Sequence, residues 1–453
     1  MTAISEIIAL VDKPDPYRDA PENLRELQLE AIRERFAEKR QQIKILDKRA
    51  GETGIDEIRS LEDVVPLLFT HTNYKSYPEA FVDKGQWANM NLWLQTLTSN
   101  PVTGIDLEGV DNADDWLARL EEAGHHVFAS SGTSGKCSFL DQTAEDVQLA
   151  DAAYRAGFKA QWAPLIPENR HTAFVFFPPT GVHRLCGPNR NFFANFVAAP
   201  GELHFLSETP LRATPGIRAG QIRRALAAGT ALPEEVAAFE TENEERQKEM
   251  TRAMEETIDR IYQRLDQPLA FGTMWPAAFQ VMEALKARGV KNGQIHPDSI
   301  LMLGGGVKGV KLPDDYKEQI FEFFGLAPER YTNSYAMVEM TGLAPYRHNI
   351  DAYALPPWIV PLVLDKSAEK LLNPADAKGQ VEGRMALFDL LTDARWGGLI
   401  SGDKVTVDFD SADGFSGPLV RSIARYQDLE EGEDKLTCAG TIDSYVRGAV
   451  NAA

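Results

Sequence analysis

Cysteine is scarce in this 453-residue chain: Cys137, Cys186 and Cys438 are odd in number and far apart. That excludes a disulfide framework, and there is no close pair of the kind a zinc knuckle or a dithiol redox motif needs. Also missing is any apolar run of the ~20 residues that a membrane helix requires. The start Met1-Thr-Ala-Ile-Ser-Glu6 lacks the basic flank of a secretory signal. Positive charge is in deficit, 47 Lys and Arg against 67 Asp and Glu, for a net charge of -20. Nucleic acid and anionic membrane are disfavoured as partners on that balance, since both demand a basic surface. The expectation is a cytoplasmic protein with buried or free thiols, no membrane segment and an oligomeric state the sequence does not reveal.

What is present is ordinary for a folded chain: 43% hydrophobic and 25% charged residues. The length predicts two or three subdomains rather than one core. Residues 1–120 read as mainly helical. Leu24, Leu27, Ala31, Ile32 and Phe36 recur at helical spacing with charges on the other face. Prolines in Leu61-Glu-Asp-Val-Val-Pro-Leu-Leu-Phe-Thr-His-Thr-Asn-Tyr-Lys-Ser-Tyr-Pro78 predict a helix-to-loop passage. Further on, a helix begins after Gln142 with Thr143 as cap, and a strand spans Thr172–Phe177. Residues 231–266 form a charged amphipathic helix, and Ser299–Leu303 is an apolar strand. Alternating strands and helices predict an α/β fold with partly parallel sheets. The expected division is 1–120, an N-terminal helical segment; 121–345, an α/β core; and 346–453, a β-rich subdomain.

The most chemical stretch is His126-Val-Phe-Ala-Ser-Ser-Gly-Thr-Ser-Gly-Lys136-Cys137, an apolar strand running into Ser, Thr, Gly and one Lys. Small residues let backbone N–H groups approach an anion, hydroxyls add donors, and Lys136 adds a mobile charge. A phosphate loop of the Gly-x-x-x-x-Gly-Lys-Ser/Thr type is excluded, because Ser130 stands where its first Gly belongs and Cys137 where its hydroxyl belongs. Three later segments follow in order. Gly304-Gly-Gly-Val-Lys-Gly309 is a sharp turn or a floor for a flat ligand. Tyr331-Thr-Asn-Ser-Tyr-Ala-Met-Val-Glu-Met340 by itself would serve as a helix start. Ile400-Ser-Gly-Asp-Lys-Val405 would serve as a β-turn. Each bland reading is common; their ordered coincidence is not.

Together with Leu61–Pro78, these segments resemble the adenylate-forming superfamily of acyl-CoA synthetases, in the branch of luciferase-system acyl-protein synthetases and phenylacetate-CoA ligases. The resemblance implies the large N-terminal domain of those enzymes, layered α/β subdomains with a smaller β-rich one. It implies ATP and Mg²⁺ as cofactors, and activation of a carboxylic acid as acyl-adenylate with pyrophosphate release. A thiol or amine acceptor, free or on a partner protein, then takes the acyl group. By the same resemblance Lys136 and Glu339 are catalytic, with Glu339 holding Mg²⁺. Ser130, Ser131, Gly132, Thr133, Ser134, Gly135, Gly304, Gly305, Gly306, Asn333, Tyr335, Asp403 and Arg447 bind nucleotide, and His183, Gly306 and Ala336 border the acid. Asp403 suits the ribose because a carboxylate has acceptors only.

The pattern is not met everywhere. Ala336 and Val338 replace Gly and Thr of the family's Tyr-Gly-x-Thr-Glu, and Gly440-Thr-Ile-Asp-Ser-Tyr-Val-Arg447 has Thr441 for the hinge Arg and Ser444 for its second Asp. The family's hinge precedes a lid domain of about a hundred residues, whereas this chain stops ten residues after Asp443, so no lid domain is expected. These departures leave open a non-catalytic nucleotide-binding partner subunit. A phosphotransferase is a third reading. Cys438 reads as a quiet thiol or as an acyl carrier. Phe176, Phe177, Phe192, Phe193, Trp275 and Phe279 read as core or as the lining of a pocket for an aromatic or fatty acid.

Overall fold

A computed structural model describes residues 2–130, 136–305, 307, 310–374, 376–410, 414–415 and 417–426. Ser131, Gly132, Thr133, Ser134, Gly135, Gly306, Cys438, Thr441, Asp443, Ser444 and Arg447, to which the sequence assigns roles, lie outside the described residues. The chain divides into two compact units. One comprises Met1–Gly132, Lys136–Gly157 and Ala336–Ala453, the other Thr133–Gly135 and Phe158–Tyr335. This is a partition by compactness and interleaves along the chain; the three consecutive segments expected from sequence are a functional division and stand as a proposal.

The first unit opens with helices at Ala3–Ala9, Leu24–Gln42 and Lys44–Thr53, and later Trp87–Gln95 and Ala113–Glu122. In Leu24–Gln42 the buried positions are Leu24, Gln28, Ala31, Ile32, Arg35, Phe36 and Lys39, the one-sided stripe that the sequence predicts. Lys39 is buried among them because its ammonium reaches the Asp393 carboxylate at 2.9 Å, and Arg35 pairs with the same group. Leu61–Leu67 is a 3₁₀ turn containing Pro66, started by a reciprocal Ser60–Asp63 cap. Antiparallel strands Ile359–Leu364, Gln380–Asp389, Gly398–Asp408, Leu419–Arg425, Ala352–Ala354 and Ala344–Arg347 lie side by side in that order, and Phe69–Thr70 adds a parallel partner to Gly398–Asp408.

The second unit is a parallel sheet in the order Ala198–Phe205, His171–Val175, Leu269–Met274, Ile300–Gly304, Tyr331–Thr332. In chain order that is 2-1-3-4-5, a doubly wound arrangement whose ligands lie beyond the carboxyl ends of the strands. The strands run as nearly continuous apolar stretches because both faces are covered. On one face Phe174, Phe271, Leu301, Leu303 and Tyr331 join Met254, Ile258 and Ile261 of helix Pro233–Tyr262 and Val281, Met282 and Leu285 of helix Trp275–Ala287. The charged helix expected at 231–266 thus exists, with its apolar stripe confined to its last third.

Candidate functional site

In the first unit the strands on either side of the Gly/Ser stretch, Phe128–Ala129 and Phe139–Leu140, pair antiparallel. Ser130 N–H donates to the Ser138 carbonyl at 3.0 Å, and Ser138 N–H to Ser130 Oγ at 2.8 Å. Ser130 is therefore a brace of the hairpin neck. Lys136 Nζ donates to the Tyr77 carbonyl at 2.7 Å and lies 5.1 Å from that ring's centroid, while Tyr77 Oη donates to the Cys137 carbonyl at 3.1 Å. Tyr77 is itself wedged between Trp93 and Phe139. Sequence reasoning missed Tyr77 because it sits 59 residues away.

The hairpin base is also tied. His125 Nδ1 lies 3.0 Å from Asp141 Oδ2, and its Nε2 lies 3.2 Å from the Pro101 carbonyl. Thr98 Oγ1 donates to the same Asp141 oxygen, and Asn100 Nδ2 sits 3.1 Å from His125 Nδ1. Burial works against the charged imidazole, but the Asp141 hydrogen bond and charge, with the Pro101 carbonyl, hold its pKa above the ordinary value. Burial pushes the Cys137 thiol up to about 11, so it is no nucleophile at neutral pH.

After the hairpin, Thr143 does cap the helix Ala144–Trp162: Asp146 N–H donates to Thr143 Oγ1 and Thr143 N–H to Asp146 Oδ2. The same buried Asp146 carboxylate accepts the N–H groups of Asp393 and Ala394.

Glu339 lies in a turn, and Ala336 in the irregular stretch just before it. Next to it, Asp389 Oδ2 accepts Thr341 N–H at 2.7 Å, Trp358 Nε1 donates to Thr341 O, and Tyr154 Oη donates to Met340 O. Asp389 thus anchors the segment that carries Glu339. Buried Tyr74 has a raised pKa, through burial foremost, with Arg395 opposing and the charges of Glu339 and Asp389 adding to it. Glu339 offers one carboxylate, and among the described residues no group of three His, Cys, Asp or Glu is placed to hold a metal. One carboxylate fits Mg²⁺, which takes one or two carboxylates and completes its shell with water and phosphate oxygens.

Ser401-Gly-Asp403 is not the turn that its local sequence allows. It lies inside the strand Gly398–Asp408, where the register jumps between Arg384↔Lys404 and Ala386↔Ile400. Ser401 Oγ donates to Met385 O and accepts Asp403 N–H, and Arg384 donates to Ser401 O. Such bulges re-aim a side chain. The Asp403 carboxylate lies 3.8 Å from Arg425 Nε.

In the second unit the strand Ile300–Gly304 delivers Gly304 and Gly305 at its carboxyl end, Gly305 with a φ of +65°. Tyr335 belongs to the short strand Ser334–Tyr335 and Asn333 links it to the strand Tyr331–Thr332, so neither opens a helix. Gln161 clamps them: its Nε2 donates to Asn333 O at 2.6 Å and its Oε1 accepts from Ser334 Oγ at 3.1 Å. His183 lies in the loop between strand His171–Val175 and helix Cys186–Phe192 and uses Nδ1 to accept Leu185 N–H at 3.2 Å. Lys136, Ser130, Glu339, Ala336 and Asp403 are thus placed by the first unit, and Gly304, Gly305, Asn333, Tyr335 and His183 by the second.

Comparison with known proteins adds the fold. No family model matches the sequence, and no curated protein matches it significantly. Among solved structures, 2-hydroxyisobutyryl-CoA ligase, in complex with 2-HIB-AMP and CoA in the thioesterification state, superposes at TM-score 0.53. That likeness covers 92% of this chain and 71% of the ligase at 13% identity. ATP-bound MatB from Rhodopseudomonas palustris aligns over 67% of this chain and 48% of its own at TM-score 0.38 and 14% identity. The chain has the mixed α/β fold of an adenylate-forming ligase. No helix among the described residues is long and apolar enough to cross a membrane.

Proposed function

We propose that this protein activates a carboxylic acid with ATP. A carboxylate oxygen bonds to the α-phosphorus, the bond from that phosphorus to the bridging oxygen breaks, and pyrophosphate leaves. A thiol or amine, free or on a partner protein, then attacks the acyl carbonyl and AMP departs. The observation that supports this reading is the ligase fold over 92% of the chain, with the adenylation-like segments in family order along it.

Each residue has a task in this reading. Lys136 with the loop amides binds the outer phosphates, leaving its carbonyl partner on Tyr77 to do so. Glu339 would hold Mg²⁺, which when bound offsets phosphate charge. Asp403 accepts the ribose hydroxyls; Asn333, Tyr335 and the Gly304–Gly306 segment receive the base, with Arg447 on the nucleotide. His183, Gly306 and Ala336 border the acid. Catalysis is then chiefly positioning and charge complementarity. The branch of acyl-protein synthetases and phenylacetate-CoA ligases, the three-part functional division and a cytoplasmic location belong to the same proposal.

ATP–pyrophosphate exchange tests it. Exchange is expected to depend on one class of carboxylic acid and to fall by about 10²-fold or more in Lys136→Ala and Glu339→Ala. Exchange without any acid would count against the reading. ATP binding without exchange would favour the non-catalytic subunit, and ADP as product a phosphotransferase.

A further inference from the structure

Tyr77 meets Lys136 and Cys137 through its carbonyl, its ring and its hydroxyl, and the three contacts divide into a hold on the lysine's tip and a hold on its root. In the sequence Tyr77 directly precedes Pro78, which biases it toward extended backbone. The helix Glu79–Asp83 that follows is entered by a hydrogen bond from Phe81 N–H to the Pro78 carbonyl at 3.0 Å, so the Tyr77 carbonyl stands before that helix. It accepts Lys136 Nζ at 2.7 Å. The ring of the same residue lies 5.1 Å from that ammonium, within the range of a cation–π contact. Its hydroxyl donates to the Cys137 carbonyl at 3.1 Å, which ties down the main chain one residue beyond Lys136.

Tyr77 is itself firmly packed. It is 3% exposed, with its ring edge-on to Trp93 at 5.1 Å and tilted against Phe139 at 5.6 Å. Trp93 Nε1 donates to Ser76 Oγ at 3.0 Å, beside Tyr77 in the chain, and Phe139 belongs to the strand that leaves the Gly/Ser stretch. The two holds differ in kind. A neutral carbonyl and a ring face attract an ammonium less than oxygens bearing formal charge do, so an arriving phosphate draws the tip away. The bond at the root joins two uncharged groups and does not compete with phosphate for the ammonium. Because the four-carbon stem of a lysine is flexible, the tip travels while the root stays in place.

We propose that Tyr77 positions Lys136 for the outer phosphates of ATP: its carbonyl and ring give the ammonium a resting place, and its hydroxyl fixes the main chain about which the side chain swings. This rests on the reading of Lys136 as a phosphate ligand, and not on which acid is activated.

The test is a set of calorimetric titrations of wild type, Tyr77→Phe, Lys136→Ala and the double variant with Mg²⁺·ATP and with AMP. Tyr77→Phe removes one oxygen and keeps the ring against Trp93 and Phe139. It is expected to weaken Mg²⁺·ATP about 3- to 10-fold and to leave AMP, which has no outer phosphates, unchanged. In the Lys136→Ala background the same substitution is expected to cost ATP nothing further, because the residue it serves is gone. AMP binding also reports that each variant is folded. Equal losses of ATP affinity in both backgrounds would make Tyr77 a merely structural residue and overturn the proposal. So would a parallel loss of AMP affinity, or an unchanged affinity for ATP in Tyr77→Phe. Wild-type protein that binds Mg²⁺·ATP yet exchanges with no acid would remove acid activation, and the cycle would still decide the role of Tyr77. Wild-type protein that binds no ATP would overturn both.

Discussion

Gln161 is the residue whose importance least resembles its chemistry. It is uncharged and nearly fully buried, and it holds Asn333 and Ser334 by one hydrogen bond each. If the 333–335 segment receives the base of ATP, Gln161→Leu leaves the fold intact but loosens that segment, raising KM for ATP about tenfold with a smaller change in kcat. Steady-state exchange kinetics would show it; an unchanged KM would detach Gln161 from nucleotide binding. The two described thiols make a second case. Cys137 and Cys186 are both pushed up to about 11, by burial in each case. Neither is expected to react with iodoacetamide in the native protein at neutral pH, and both should react after denaturation, as peptide mass spectrometry would record. None of this is visible in the motifs: the Gln161 contact spans 172 residues.

At the scale of elements, the strand leading into the Ser/Gly stretch is legible in the sequence, and the hairpin it joins and the parts that brace it are not. An apolar strand running into Ser and Gly announces a loop, but the pairing of His125 with Asp141 depends on how two strand ends meet. That pair predicts a pH effect with a definite sign. Because the folded-state pKa of His125 is raised, its contribution is complete below the ordinary His range near 6.5 and is lost as pH rises through the folded-state value. The groups that face the imidazole are Asp141, Asn100 and the Pro101 carbonyl, while Thr98 donates to the Asp141 carboxylate and Arg395 to the main chain of Asp141. Urea midpoints of wild type and His125→Gln should differ most at mildly acidic pH and converge under alkaline conditions. The helix after the hairpin gives a stability prediction. Asp146→Ala removes the carboxylate that accepts Thr143 N–H at the helix start and leaves the N–H groups of Asp393 and Ala394 without their acceptor, a loss of about 2–3 kcal/mol in chemical unfolding.

For the whole molecule, charge and ligand linkage decide. A net charge of -20 makes affinity for duplex DNA an unexpected result. Binding of an anionic nucleotide must instead rest on local groups, Lys136 and backbone amides above all. Mg²⁺ with ATP, at a hundredfold excess over Kd, should therefore stabilise the protein by about 2.7 kcal/mol, read as a rise in Tm that shrinks in Lys136→Ala. The same rise in that variant would show that Lys136 stays on Tyr77 and leaves phosphate to other donors.

Periodicity and motif order determined a good deal by themselves. The helix at 24–42, the strand at 300–304, the charged helix near 233–262 and the α/β class follow from local patterns of apolar and polar residues, which the chain carries wherever it folds. Only tertiary structure decided that Ser401-Gly-Asp403 is a bulge within a long strand rather than a turn, that Lys136 grips Tyr77, and that Phe193 closes the sheet face over Gly272. A local pattern records the period of an element, whereas a bulge, a grip or a plug is the meeting of residues far apart in the chain. No single stretch of sequence contains both partners.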